Sequence, residues 1–383
     1  MAWTIDRKMK IALCVERFDP AKGGQGVWTH GFAAHLLAAG HEVHIVSCAF
    51  ASDRLSIHPH AVPWHWSPLI RARRFQKVLR QIGADAVHDA STTIWPGVWH
   101  PHSGSELGSL NRLIATEPPS RRLRAALSPK MLLLRTQMAW LEAQQARQAL
   151  AIVAVSDLVK TLLTRRHPSA GPRIETIPNG TDTVFFAPLP EGRSKPGGTD
   201  ETTFLMVAHN PALKGLDIAL KALAVLAQEG RAIRLLVAGI DHIDPWSHMA
   251  ERLGVRERIA FLGIVADMRP VYARADVLVH PTRWDACSLV VLEAMACGLP
   301  VVTTAMNGAA SMIASGISGF VLPSPEDVSA LAGAMRLLLD QKTRQAIGRS
   351  ARHSIENHGI RENYRSVESL LAGVADRTQH GGR

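Results

Sequence analysis

The 383-residue sequence predicts an α/β protein made of two doubly wound parallel-sheet domains that face a cleft. Three observations carry that reading. Strand and helix signals alternate through the first half, the pattern of a parallel sheet covered by helices on both faces. The stretch APLPEGRSKPGGTDE (187–201) then concentrates Pro, Gly and charge without a hydrophobic period, and marks a boundary. Beyond it the alternation begins afresh. The expected division is a first domain over 9–186, a linker over 187–201, a second domain over 202–355, and a terminal helix and tail over 356–383.

In the first domain KIALCV (10–15) reads as a buried strand and VWTHGFAAHLLAAG (27–40) as an amphipathic helix closed by Gly40. HEVHIVSCA (41–49), AVHDA (86–90), AIVAVS (151–156) and RIETIPNG (173–180) read as further strands, and 107–150 as mostly helical, broken near Pro118, Pro119 and Pro129. In the second domain the strands TFLMVA, RLLVAG, IAFLG, VLVHP, PVVTT and GFVL alternate with helices expected over 214–229, 246–253, 267–275, 288–297 and 308–315. The tail from 326 to about 375 reads as helical and the final TQHGGR as frayed.

Apolar residues make up 46% and charged residues 20% of the chain, an ordinary globular balance. Apolar runs such as MLLL (131–134) fall far below the ~18 residues that span a bilayer. The N-terminus has only a short apolar core before Glu16, too short for a signal peptide, so a cytoplasmic location is expected. Cys14, Cys48, Cys287 and Cys297 show no paired spacing and are expected to be reduced thiols. Of the net charge of +10, +9 lies in residues 1–190, where RARRFQKVLR (71–80) and Arg121, Arg122, Arg124, Lys130 and Arg135 cluster. Nucleic acid, an anionic substrate or an acidic membrane could meet such charge. No nucleic-acid motif is present, and aromatics do not interleave with the basic run. Trp64, Trp66, Trp95 and Trp99, in Pro-containing loops of the same half, suit peripheral contact with an anionic membrane, and equally a solvated basic face with core tryptophans.

The most informative segment is VLVHPTRWDACSLVVLEAMACGLPVVTT (277–304). It reads as strand, loop, helix and strand, with Ser288 at the helix N-cap and Gly298 and Pro300 ending the helix. Asp285 then sits in the loop, and Glu293 about a turn and a half into the helix. A carboxylate among such apolar neighbours must be paired, and ligand hydroxyls, an Arg or a backbone N–H would each serve. Both acids lie at the carboxyl end of a strand, where open α/β sheets bind ligands. Earlier, ERFDPAKGGQGVWTH (16–30) leaves N–H groups of Gly23, Gly24 and Gly26 open before a helix N-terminus, which suits an anion and equally a tight turn.

The Gly-Gly loop, the turn IPNGTD (177–182), the KG opening a helix at Lys214 and the 277–304 segment together resemble the retaining, nucleotide-sugar-dependent glycosyltransferases of family 4, whose GT-B fold pairs two Rossmann-like domains. The resemblance covers residues 10 to about 340 and is greatest toward the lipopolysaccharide-core glucosyltransferase branch. Its most specific part is the acid–x7–acid pattern followed by EAMACGLPVV.

The resemblance implies roles by position. Glu293 would hold the ribose hydroxyls of the nucleotide, Asp285 the sugar hydroxyls and the charge developing at the anomeric carbon, and Lys214 the diphosphate. Gly23 and Gly24, with N–H groups near Ser288 and Leu289, would complete the anion site, and His102 would lie near the donor sugar. No cofactor and no metal ion is expected: the nucleotide diphosphate sugar, UDP-glucose foremost, is a co-substrate, and the acceptor is a cell-envelope glycan or glycolipid. The chain departs from the family in having Asp for the usual Glu at 285. It also lacks the usual Arg before Lys214, where His209, Asn210, Ala212 and Leu213 stand; Arg283 is one residue that could substitute. A nucleotide-sugar epimerase of the same fold and an inactive nucleotide-sugar-binding protein are the rival readings. His58, His60, His100 and His102 form two H-x-H pairs without Cys, Asp or Glu at metal-ligand spacing, so no zinc site is expected from the sequence.

Overall fold

A computed structural model describes residues 7–21, 23–51, 55–188 and 201–380; most of the expected 187–201 linker and the last three residues lie outside these. Two compact units emerge, one holding residues up to Pro178 and again from Arg361, the other Asn179–Ile360.

The first unit carries strands β1 (Lys10–Phe18), β2 (Glu42–Phe50), β3 (His58–Ala61), β4 (Ala86–Asp89), β5 (Val98–Trp99), β6 (Ala151–Ala154) and β7 (Ile174–Thr176). They form one parallel sheet in the order β3-β2-β1-β4-β5-β6-β7. Its helices are α1 (Gly24–Ala38), α2 (Pro68–Ile82), α3 (Glu106–Thr116), α4 (Pro119–Leu127), α5 (Pro129–Gln148) and α6 (Asp157–Arg166). The second unit carries β8 (Thr202–Val207), β9 (Ile233–Ala238), β10 (Ile259–Gly263), β11 (Val277–His280), β12 (Val301–Thr304) and β13 (Phe320–Leu322), parallel in the order β10-β9-β8-β11-β12-β13. Between and after them run α7 (Leu216–Gln228), α8 (Asp244–Arg252), α9 (Arg269–Arg274), α10 (Leu289–Ala296), α11 (Val328–Leu337) and α12 (Gln341–Ile355). The last helix, α13 (Ile360–His380), returns to the first unit.

Central strands are covered on both faces, so they read as unbroken apolar runs. Ile11 to Val15 of β1 are all buried, and α1 lays Trp28, Phe32 and Leu36 on the sheet at helical spacing. In each sheet the strand order reverses once, between β1 and β4 and between β8 and β11. Connections leave these points in opposite directions, which opens a crevice at the strands' carboxyl ends.

Several local expectations change. The first helix begins at Gly24 rather than at 27, because the glycine loop runs straight into it. The helix expected over 308–315 is one 3-10 turn, Gly308–Met312; Asn307 Oδ1 accepts from Ala309 N–H, and the bonds run to the third residue, as from Ala310 N–H to Asn307 O. The helix expected to fray at TQHGGR continues through His380. Trp99 is buried and donates its indole N–H to Ser91 Oγ at 3.0 Å, and Trp95 packs on the core, so neither faces outward with Trp64 and Trp66.

The terminal segment expected as a separate tail docks through specific bonds. Trp28 Nε1 donates to Asn363 Oδ1 at 2.7 Å, and Asn363 Nδ2 to Pro178 O at 2.6 Å. Glu368, itself buried, holds His35 Nε2 at 2.8 Å and His41 Nε2 at 2.9 Å, while His41 Nδ1 accepts from Met9 N–H. His41 therefore carries its proton on Nε2 and donates it to Glu368. Replacing Glu368 by Ala strands two imidazole N–H groups and is expected to cost about 1–3 kcal/mol at pH 7.5, read as a lower urea midpoint; an unchanged midpoint would contradict this docking.

Candidate active site

In the second unit the turn after β8 ends in Lys214 and Gly215. Gly215 has φ 79°, and a Cβ there would lie 2.1 Å from Pro281 O. Only glycine lets this turn press against the loop after β11. The approach brings Lys214 Nζ to 2.6 Å from Asp285 Oδ2 and 3.3 Å from Trp284 O. His280, the last residue of β11, places Nε2 3.2 Å from the same Oδ2, and Ser288 Oγ lies 3.4 Å from that nitrogen. The loop is pinned from below: Asp285 N–H donates to Met306 O, Gly308 N–H to Asp285 O, and Ser288 N–H to Asn307 Oδ1.

Burial alone would raise the Asp285 pKa, but the Lys214 charge and the His280 hydrogen bond overcome it and hold the carboxyl well below its ordinary range. Burial keeps His280 neutral despite its bond to Asp285, so its Nε2–H donates. The result is a fixed carboxylate with a cation and a neutral donor both on Oδ2.

Glu293 is the fifth residue of α10. Its Oε2 accepts from the Tyr272 hydroxyl at 2.7 Å, and burial, partly offset by that bond, raises its pKa. A tyrosine hydroxyl, rather than an arginine or a backbone N–H, thus partners this acid within the protein. One such donor leaves Oε1 able to accept from a diol. Ser288 stands at the N-cap of α10, but its hydroxyl makes no capping bond and turns to His280 instead. Leu289 opens the helix, where first-turn N–H groups lack partners within the helix.

Arg283 does not fill the place of the missing arginine. Its guanidinium is clamped by Asp217 at 2.8 and 2.9 Å, by Glu326 at 2.6 and 3.0 Å, and by Ala212 O. These partners raise its pKa, with the Asp217 bonds foremost, and occupy the fork that a diphosphate would need.

In the first unit Gly23 is the N-cap of α1 and Gly24 its first residue. A Cβ on Gly26 would lie 2.1 Å from Asp19 O, so the loop closes only on glycine. The helix delivers Trp28 against three imidazoles, with ring centroids 4.8 Å from His102, 4.8 Å from His100 and 5.3 Å from His88. His88 on β4 puts Nε2 3.0 Å from His100 Nδ1, and the rings of His100 and His102 stack at 3.9 Å. Burial holds His88 and His102 to a pKa of about 3 and drives His100 well down too, so all three are neutral. His88 Nδ1, His100 Nε2 and His102 Nε2 are buried without hydrogen-bond partners. The fold therefore adds His88 to an H-x-H pair that looked isolated in sequence, and neutral imidazoles are the form that ligates metals.

Lys214, Asp285, Ser288, Leu289 and Glu293 thus gather in the second unit, and Gly23, Gly24 and His102 in the first. Sequence reasoning passed over His280, Tyr272, Asn307 and His88. The available signal was a polar residue inside an apolar strand, as in VLVHP and AVHDA.

The family profile "Glycosyltransferase Family 4" matches residues 22–185 and the profile "Glycosyl transferases group 1" matches residues 191–354, one on each unit. The chain belongs to these glycosyltransferases. The lipopolysaccharide glucosyltransferase WaaG of Escherichia coli is 32% identical over 213 residues, a match spanning 53% of this chain but only 57% of that enzyme's length. A GDP-mannose-dependent alpha-(1-6)-phosphatidylinositol monomannoside mannosyltransferase of Mycolicibacterium smegmatis is 28% identical across 96% of this chain and 100% of its own. Among solved structures, WaaG superposes with a TM-score of 0.79 at 24% identity over 95% of this chain and 100% of that one. Anabaena Alr3699/HepE in complex with UDP-glucose superposes at 0.69 and 18% identity over 95% and 100%. These superpositions establish the GT-B fold of two parallel-sheet domains for this glycosyltransferase.

The depressed histidine pKa values have a measurable consequence. His88 and His102 titrate near 3 in the folded glycosyltransferase against about 6.5 when unfolded. Their contribution is fully present above about 6.5 and lost as pH falls toward 3. Unfolding free energy should therefore drop between pH 6.5 and 4.5, above the range where ordinary carboxylates titrate, and His88→Asn should flatten that slope. A profile level over this window would show that the imidazoles are not held neutral by burial.

Proposed function

We propose that this glycosyltransferase moves a hexose, glucose foremost, from a nucleotide diphosphate sugar to a glycan or glycolipid of the cell envelope, with retention of configuration and without metal. The observation that carries the proposal is the Lys214–Asp285–His280 cluster at the second sheet's switch point, with Glu293 eight residues beyond it. Glu293 accepts from the ribose diol through Oε1, whose two lone pairs can meet both hydroxyls while Tyr272 holds Oε2. Lys214 neutralises the departing diphosphate, with N–H groups at the start of α10 adding their dipole. Asp285, ionised throughout, accepts from sugar hydroxyls through Oδ1 and stabilises positive charge at the anomeric carbon. His280 holds Oδ2 and so orients it.

In the first unit, the N–H groups of Gly23 and Gly24 approach the phosphate or the acceptor. His102, neutral at working pH, donates or accepts a hydrogen bond at the donor sugar. Retention proceeds by departure and attack on one face: the bond from anomeric carbon to diphosphate oxygen breaks, the acceptor oxygen bonds to that carbon, and the departing oxygen takes the acceptor proton. The relatives' names support the nucleotide-sugar donor and envelope acceptor of this reading, one being a lipopolysaccharide glucosyltransferase and one a GDP-mannose-dependent mannosyltransferase of a phosphatidylinositol mannoside.

Transfer from UDP-glucose to a lipopolysaccharide-core acceptor tests the proposal. Turnover should survive EDTA, the new linkage should be alpha, and Lys214→Ala should abolish most turnover with little change in melting temperature. Glu293→Gln should weaken UDP-glucose binding by about 1.5–3 kcal/mol. Loss of turnover on chelation, restored by magnesium, would refute the metal-free reading; unchanged donor affinity in Glu293→Gln would remove the ribose role.

We further propose that the enzyme works at the inner face of the membrane, bound peripherally through α4 and α5. No residue of α4 is buried: Leu123 and Leu127 are 61% and 73% exposed beside Arg121, Arg122 and Arg124, and Leu132 on α5 is 63% exposed. Apolar and cationic side chains presented together suit an anionic lipid surface. Among the described residues no helix is long and apolar enough to cross a membrane. Arg71 and Arg74 from the other basic cluster instead brace the loop ahead of α2, donating to His65 O and Pro63 O. Sedimentation with anionic vesicles should fall steeply with salt and be lost in Arg121→Ser/Arg122→Ser/Arg124→Ser, while transfer to a soluble acceptor persists. Undiminished sedimentation of this variant would assign the charge elsewhere.

A further inference from the structure

A second group of titratable side chains lies at the free edge of the first sheet, and the proposed transfer reaction makes no use of it. Edge strand β3 is four residues long, and its His58 and His60 stand two apart, on one face. On β2, Glu42 and His44 stand two apart likewise, with His44 in register opposite His58. His44 Nε2 lies 2.7 Å from Glu42 Oε1, and His44 Nδ1 2.9 Å from His60 Nε2. The His44 ring stacks on His58 at 4.7 Å and on His60 at 5.1 Å. One ligand atom from each of Glu42, His44 and His58 falls within 4.8 Å of the others.

We propose that this edge is a binding site for a divalent transition cation, Zn2+ foremost, ligated by Glu42, His44 and His58, with His60 fixing the tautomer of His44. Two imidazoles and a carboxylate are a borderline-soft set that suits Zn2+, Ni2+ and Cu2+ over Mg2+ or Ca2+. When His44 donates from Nδ1 to His60 Nε2, its Nε2 turns a lone pair toward the Glu42 oxygen, and a cation seated between the two takes the place of the proton that bridges them in the other tautomer. Ligands at about 2.0–2.1 Å around a tetrahedral ion stand about 3.3 Å apart, so the cluster needs only side-chain rotation to close. Glu42 and His58 are exposed and can rotate, whereas His44 is buried and anchors the site. Lys10 Nζ, 3.4 Å from Glu42 Oε1, is the charge an incoming ion displaces. A bound ion ties the edge strand to β2 and so stabilises the sheet margin.

The test uses the untagged 383-residue chain, stripped of metal and titrated with Zn2+ against a chromophoric chelator. The expected result is one tight site per chain, a melting temperature raised by Zn2+, and the intense visible absorption of tetrahedral Co2+ on substitution. His58→Gln/His60→Gln, both at the exposed edge, should lose at least tenfold in affinity and lose the thermal shift, while Lys10→Met should bind as tightly or more so. Zinc held equally well by the double variant would place binding elsewhere, the buried His88–His100–His102 group included, and overturn the proposal. Absence of binding at micromolar zinc would overturn it too.

Discussion

A parallel sheet has to be covered on both faces, and in this chain that requirement organises both units. Each strand is followed by a crossover, and each sheet winds outward in two directions from a central pair, β1 with β4 and β8 with β11. The carboxyl ends of those pairs are the places where polar side chains can stand above a fully apolar layer. The glycine loop and His88 occupy one, and Lys214 and His280 the other. Buried runs such as Ile11 to Val15 supply a close-packed platform, and the turns above it are held to within hydrogen-bonding distances.

On the second sheet the decisive interaction is the Lys214–Asp285 pair. An ion pair in a buried setting stabilises little by itself, because desolvation offsets much of the attraction. Its value here lies in poise. Asp285 stays charged because Lys214 and His280 share one of its oxygens; in the proposed reaction Lys214 exchanges this partner for the diphosphate. The shorter Asp at this position is reached by the Gly215 turn, whose contact with Pro281 O leaves no room for a Cβ. Arg283 is committed to a structural clamp on Asp217 and Glu326, so the proposed reaction leaves the cationic task to Lys214 and to helix dipoles.

Histidine serves three purposes in one unit. His35 and His41 fasten the terminal helix through Glu368. His88, His100 and His102 are stacked under Trp28 and kept neutral by burial. His44, His58 and His60 cluster at the sheet edge, with His58 exposed and His44 buried. The side chain is the same in all three, and exposure and neighbours decide whether it bridges elements, is held neutral, or stands at an edge as the ligand proposed above.

The α/β class, the restart of the strand–helix alternation and the position of Asp285 and Glu293 around one helix were legible in the sequence, because hydrophobic periodicity and short-range spacing are local properties. The Gly-Gly and Lys-Gly turns were legible for the same reason. The pairing of Lys214 with Asp285, 71 residues apart, was not. Nor were the donation of Tyr272 to Glu293, the addition of His88 to His100 and His102, the capture of Arg283, or the return of α13 to the first unit. Each depends on which strand lies beside which and on what a side chain meets across a crossover. Periodicity states that a residue is buried; only the packed sheet states against whom.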